Sequence, residues 1–254
     1  MTDQLLVEQK SDALYVTFNR AAQRNAMSWE MYQGLQAACE RADAEDSVRV
    51  MVLRGAGGTA FVAGTDIAQF KGFTGQDGIE YEQRISAILG RLAAVRVPVI
   101  AAIEGFCIGG GLGIAAVADL RIADRGAKFG VPIARTLGNC LSASTLSVLV
   151  SLVGRARATD LLMTARLMSA DEALASGFVT TVSDDVDAEV EALVRRLGSS
   201  APLTLWATKE AMRRIYAGST VDDEDIVSLV YGSEDFANAV TAFTSKRKPV
   251  WQGR

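Results

Sequence analysis

"EGFCIGGGLGIAA", residues 104–116, sets three consecutive glycines inside an apolar run and a fourth, Gly113, two residues beyond them. A buried strand that enters a glycine cluster and then a helix invites a phosphate-loop reading. The G-x-G-x-x-G order is absent and no Lys-Ser/Thr follows the glycines, so that reading fits poorly. A tight turn with close helix–strand packing covers most such triplets taken alone. A third reading uses the same physics for a different ligand. Backbone N–H groups at a helix start are unpaired and carry partial positive charge, so they can bind an oxyanion. An oxyanion hole needs two donors, and "FVAGTDI", residues 61–67, supplies a second such turn after the preceding buried strand.

Outward from these turns, the chain reads as α/β. "LLVEQ" and "ALYVTFNR" alternate and predict a hairpin, with Leu14, Val16 and Phe18 on one face. Ser28 is an N-cap candidate for a helix through about Ala44, with Tyr32, Leu35 and Cys39 on one side. A buried strand spans Val48 to Leu53, and a short helix follows "AGTDI". A longer helix covers roughly Ile79 to Ala94. After Pro98 a second strand, "VIAAI", runs straight into the triplet and an apolar helix, and "LRIAD" forms a third strand. The order strand, glycine turn, helix therefore occurs twice. Downstream, "LSASTLSVLVSLVG" predicts a helix ending at Gly154, and "SADEALASG" a short one with Ser169 and Glu172 as a capping box. Strand residues from Phe178 to Val182 precede helical segments beginning near Asp187, Pro202 and Asp222.

Composition excludes several classes. Hydrophobic residues make up 49% of the 254 and charged residues 22%, which rules against disorder or a coiled coil. A net charge of -4 and a pI near 5.1 give no footprint for nucleic acid. The sequence has no histidine, which removes histidine metal sites, Ser-His-Asp and Cys-His arrangements, and the commonest general base. Cys39, Cys107 and Cys140 are far apart and odd in number, without zinc spacing, so neither a metal nor a disulfide framework is expected. No signal-peptide pattern opens the sequence, and Glu104 and several glycines interrupt its longest apolar run. The expectation is a cytoplasmic protein with no membrane span.

Six stretches, in order, carry a resemblance: "FNRAAQRNAMS", "VLRGAGGTAFVAGTDI", "VPVIAAIEGFCIGGGLGIAAVADLRIA", "FGVP", "LVGRARATDLLMTARLMSADEALASGFV" and "SKRKPVWQGR". Together they make the chain similar to the crotonase (enoyl-CoA hydratase/isomerase) superfamily over nearly its whole length. The resemblance implies a spiral of β-β-α turns over residues 1–195 that binds acyl-CoA, and a helical region over 196–254 that trimerises, often as a dimer of trimers. It implies a thioester substrate, with coenzyme A as part of that substrate and no separate cofactor. The family's oxyanion hole falls on the backbone N–H groups of Thr65 and Gly110, which would hold the thioester oxygen as an enolate forms. The family's CoA contacts fall around Arg24, Asn25 and Ala26, and around Ala63, Asp66 and Ile67. Phe243 and Lys246 fall where a C-terminal helix meets CoA. Taken alone, Arg24 reads as a solvated loop charge and Asp66 as a helix cap.

The resemblance breaks at the acids. Hydratases of this family use two glutamates to activate water. The first position is Gly113 here, and the second, after the proline of "FG-x-P", is Ile133. No acid occurs between Asp124 and Asp160, so slipping the alignment does not recover one. The stretch from Pro132 to Gly138 also runs one residue longer than the usual form. Arg135, Asn139, Cys140 and Glu104 are polar substitutes to weigh, each with a structural reading of greater weight, and Glu234 reads as a solvated helix face. The expectation is an acyl-CoA lyase or isomerase working through enolate stabilisation, with slow hydration. A catalytically silent CoA-binding subunit is the alternative.

Overall fold

The computed structural model describes residues 3–216, 218 and 223–254, apart from the side chain of Phe243. The hairpin forms from β1 (Leu5–Lys10) and β2 (Ala13–Phe18), antiparallel with Leu5 opposite Phe18. Ser28 caps α1 (Trp29–Ala44), its hydroxyl accepting from Met31 N, and Tyr32, Leu35 and Cys39 lie on the buried stripe. Next come β3 (Val50–Gly55), β4 (Ala60–Ala63), a 3-10 turn at Ile67–Phe70, and α2 (Gly75–Ala93). Helix α2 starts four residues before the sequence expectation. A reciprocal capping box between Thr74 and Asp77 sets that start.

The apolar run before the glycines is two strands and not one. β5 (Val99–Ile103) and β6 (Phe106–Ile108) lie in different sheets, separated by Glu104 and Gly105. Gly105 has φ +66, and a Cβ on it would lie 2.0 Å from Thr59 O, so only glycine fits this corner. After α3 (Gly110–Val117) come β7 (Leu120–Asp124) and β8 (Lys128–Gly130), then a 3-10 turn at Pro132–Arg135. Strands β3, β5 and β7 join a six-stranded sheet ordered β1-β2-β3-β5-β7-β10, while β4, β6 and β8 join a four-stranded sheet ordered β4-β6-β8-β9. Each strand couple thus places one member in each sheet, and a helix leads to the next couple. The spiral has three such turns rather than two.

The remainder is mostly helical, with α4 (Ala143–Val153), α5 (Arg155–Thr164), β9 (Met168–Ser169), α6 (Ala170–Ala175) and β10 (Thr181–Ser183), then α7 (Val186–Gly198), α8 (Pro202–Tyr216), α9 (Glu224–Tyr231) and α10 (Glu234–Thr244). Asp222, the expected start of a helix, lies outside the described residues. Strand alternation divides the core. Leu14, Val16, Met51, Leu53, Val99 and Ala101 face α1, α2 and α3, while Ala13, Val50, Val52, Ile100 and Ala102 face α7. Helix α7 covers that second face with Val186, Val190 and Val194, one residue per turn. Helix α8 is tied to the core by Lys209, whose Nζ lies 2.7 Å from Asp119 Oδ2 and 3.1 Å from Val97 O. Among the described residues no helix is long and apolar enough to cross a membrane.

Candidate active site

Parallel pairing places the two turns side by side. In the four-stranded sheet Ala63 is opposite Ile108, so Thr65 and Gly110, each two residues further on, leave neighbouring strands at one level. Such strands run about 4.8 Å apart. Met27 pins the first turn, donating to Gly64 O at 2.9 Å and accepting from Asp66 N at 3.0 Å. The second turn is pinned by Gly109 N donating to Gly130 O at 2.9 Å. The N–H groups of Thr65 and Gly110 between these anchors donate to no described backbone group. Two donors at a shared level without backbone acceptors are an arrangement that can receive an oxyanion, the second backed by the start of α3.

The glycine triplet has an internal cause as well. Gly109 has φ +56, and a Cβ on it would lie 3.3 Å from Gly64 Cα. On Gly110 it would lie 2.7 Å from the Tyr32 hydroxyl, and on Gly111 2.1 Å from Val62 O. The bare backbone is therefore demanded by the close fit of α3 against β4 and α1, before any ligand arrives. Beside it the Tyr32 hydroxyl lies 2.9 Å from Thr65 Oγ1, which lies 2.8 Å from the Tyr81 hydroxyl. Burial holds both tyrosines above their ordinary pKa, so both stay protonated. Trp29 and Phe70 pack edge-on against Tyr81, and Arg84 lies 4.0 Å over the Trp29 ring.

The stretch expected at CoA divides into ligand-accessible and structural residues. Arg24 is exposed, in the left-handed region at φ +50, with its guanidinium 5.5 Å from the Phe106 ring centre. Asn25 is fully buried: Oδ1 accepts from Arg20 N at 2.9 Å, and Nδ2 donates to Ala56 O at 3.0 Å and Ala60 O at 2.7 Å. It ties the β3–β4 corner, with both polar atoms of its side chain engaged on backbone. Ala26 and Ala63 are half-buried and Ile67 is 61% exposed. Asp66 caps the 3-10 turn through Ala68 N, and Arg20, 2.9 Å away, holds its carboxyl below the usual range. Lys246 is exposed at φ +54 just past α10, and the side chain of Phe243 lies outside the described set. Glu234 is exposed and 3.3 Å from Arg254.

The positions of the missing acids are occupied by packing. Gly113 is buried, and a Cβ on it would lie 3.3 Å from Leu89 Cδ1 and 4.0 Å from Thr145 Cγ2. Ile133 is half-buried against the core, and its carbonyl accepts from Leu137 N and Gly138 N. Residues 134–140 are exposed throughout, so Arg135, Asn139 and Cys140 sit on a surface loop. Glu104 lies 3.6 Å from Arg54, which also holds Asp187 of α7 at 2.9 Å, so it is engaged on the α7 side of the sheet. Sequence reasoning passed over one carboxylate, Glu82 on α2. Its Oε2 accepts from Ser142 N at 2.9 Å, and burial raises its pKa. The only sequence signal for it was the apolar stripe of α2, which places it beside Ile85 and Leu89.

A cavity of about 690 Å³ lies elsewhere, between the end of α3, α4 and α8, and is lined by Val117, Val148, Leu205 and Met212 but by neither turn.

Known proteins resemble this chain in sequence and in fold. Residues 8–254 match the family model for enoyl-CoA hydratase/isomerase. A probable enoyl-CoA hydratase of Mycobacterium bovis is 30% identical over 256 residues, covering 98% of both chains. A short-chain-enoyl-CoA hydratase of Clostridium acetobutylicum is 30% identical, over 96% of this chain and 95% of its own. A crystal structure of an enoyl-CoA hydratase/carnithine racemase from Magnetospirillum magneticum superposes with a TM-score of 0.93 at 33% identity, over 100% of this chain and 97% of that one. With the sheet order, the paired turns and a match over almost its full length, the chain belongs to the enoyl-CoA hydratase/isomerase family.

Proposed function

We propose that the protein binds an acyl-CoA thioester and stabilises its enolate between the N–H groups of Thr65 and Gly110. The carrying observation is that these two donors leave adjacent parallel strands at one level without acceptors. Placed donors of this kind contribute about 10²–10³ in rate each. With Gly113 and Ile133 where the family's water-activating acids belong, the reading favours proton transfer on the acyl chain, as in isomerisation, over hydration. The exposed Arg24 beside the first turn suits a CoA phosphate. Three free thiols suit a reducing compartment such as the cytoplasm. The test incubates the purified protein with a panel of acyl-CoA thioesters and follows products by mass. Product formation supports the enzyme, and binding without any product supports a silent CoA-binding subunit.

The same reading includes self-association as a trimer or a dimer of trimers. Its support is the apolar surface of the last helices, where Met212, Ile215, Tyr216, Val227, Tyr231 and Val240 are all exposed. Light scattering at micromolar concentration tests it, and a monomer would count against it.

A further inference from the structure

We propose that Glu82 is the group that carries the proton to and from the acyl chain, an assignment that rests on the thioester reading above. Helix α2 is the element that touches both parts of the site. Tyr81 reaches the first turn through Thr65 Oγ1 at 2.8 Å. On the adjoining stripe Leu89 closes over Gly113, Ser86 Oγ lies 3.2 Å from Ser142 Oγ, and Glu82 accepts from Ser142 N. Residues at i, i+4 and i+7 share one face of a helix, so Glu82 lies on the same stripe of α2 as Ser86 and Leu89, the stripe that packs against α3 and the start of α4. With Gly113 bare, the side chains between α2 and α3 come from α2 in place of α3.

The other acids of α2 and of the two turns are engaged elsewhere. Helix α3 has no acid, and none occurs from residue 125 to residue 159. On α2, Asp77 is spent on the capping box and Glu80 accepts from Gln76 on the exposed side. Asp66 is held by Arg20, and Glu104 by Arg54. Glu82 Oε2 accepts from Ser142 N, the Ser142 hydroxyl also bears on its carboxylate, and no cation among the described residues pairs with it. Burial favours its neutral form, which brings its basicity closer to that needed at neutral pH.

The step balances without a co-reactant. Glu82 Oε1 takes a proton from Cα, and the C–H electron pair becomes the enolate C=C. The thioester π pair moves onto the oxygen held by Thr65 and Gly110. The protonated Glu82 then returns the proton to Cα, which exchanges it, or delivers it to Cγ of an unsaturated chain, which isomerises it.

The experiment follows exchange of the Cα protons of butyryl-CoA in D2O by mass, with binding measured by calorimetry. Glu82→Gln keeps an acceptor for Ser142 N and is expected to slow exchange by about 10²–10⁴ with binding unchanged. Wild-type exchange should also fall on acidification through a pKa above the ordinary glutamate value of about 4.3, because the carboxylate is the base. The residual rate of the variant should lack that step. Around Glu82, α1 contributes Tyr32 and α2 Tyr81, both held protonated, and α4 contributes only hydroxyls, while the Asp43–Arg91 ion pair sits at the far end of α2. Unaltered exchange in Glu82→Gln overturns the assignment. A wild type that binds butyryl-CoA and exchanges nothing also overturns it and leaves the binding reading standing. A wild type that binds no acyl-CoA overturns both.

Discussion

Gly111 and Gly113 lie on the same short helix two residues apart, yet they are glycine for different reasons. A Cβ on Gly111 would lie 2.1 Å from the backbone oxygen of Val62, and no rearrangement short of parting α3 from β4 relieves that contact. A Cβ on Gly113 would lie 3.3 Å from the tip of Leu89, a flexible side chain that can give way. The turn half of the site is thus fixed by the fold, and the half around Gly113 is set by replaceable side chains. A sequence signature made of turn glycines therefore reports the fold and the paired turns, and leaves the acid–base chemistry open.

The widest gap between the two halves should appear in crotonyl-CoA hydration. A placed acid or base contributes about 10²–10⁴, so with both of the family's positions empty the wild type should hydrate about 10⁴-fold or more slower than a two-glutamate hydratase. Adding Gly113→Glu and Ile133→Glu should restore little, because Leu89 stands against the first position, whereas a further Leu89→Ala opens it. All variants need to be checked for folding and CoA binding. Fast hydration by the wild type would show that another group supplies the chemistry, and Glu82 would be the first to mutate, ahead of Glu104 and the exposed Arg135, Asn139 and Cys140.

Stability sharpens the contrast. Gly111→Ala should lose about 3 kcal/mol or more in urea denaturation, at the upper end of overpacking costs. Gly113→Ala should stay within about 1 kcal/mol of wild type, since the gain in helix propensity offsets the push on Leu89. Equal losses would erase the distinction. Asn25→Ala should cost about 2 kcal/mol by leaving buried partners unpaired, while the folded protein keeps its affinity for acyl-CoA. A large drop in affinity would mean that Asn25 touches ligand after all. The smallest effect belongs to Tyr81→Phe, about 1 kcal/mol by the same denaturation, from the lost bond to Thr65.

Local chemistry made much of this legible. The Ser28 cap and the alternating hairpin are written in adjacent residues, and both form as read. The paired turns were visible because a glycine follows each of two buried strands. What failed depended on distant contacts. "VIAAIEGFCI" reads as continuous because nothing nearby tells that Gly105 is pressed against Thr59, 46 positions earlier. Asn25 was placed with the CoA contacts, and its structural role stayed hidden because its partners, Ala56 O and Ala60 O, are backbone atoms without a sequence mark. Glu82 was hidden in a helix whose many charges resemble a solvated face. Its distinguishing neighbour, Ser142 N, belongs to another helix.

The three linked hydroxyls set one side of the first turn apart from the other. Thr65 Oγ1 lies within hydrogen-bond reach of both tyrosine hydroxyls, and a hydroxyl both donates and accepts, so each contact can run in either direction. Tyr32 is 1% exposed and Tyr81 half-buried, and the two tyrosine hydroxyls also interact with each other. Three protons are thus shared among three oxygens in a cluster that burial keeps neutral. The side chain of Thr65 therefore meets a set of hydroxyls that can re-orient together, while its own backbone N–H and that of Gly110 each have a single fixed direction.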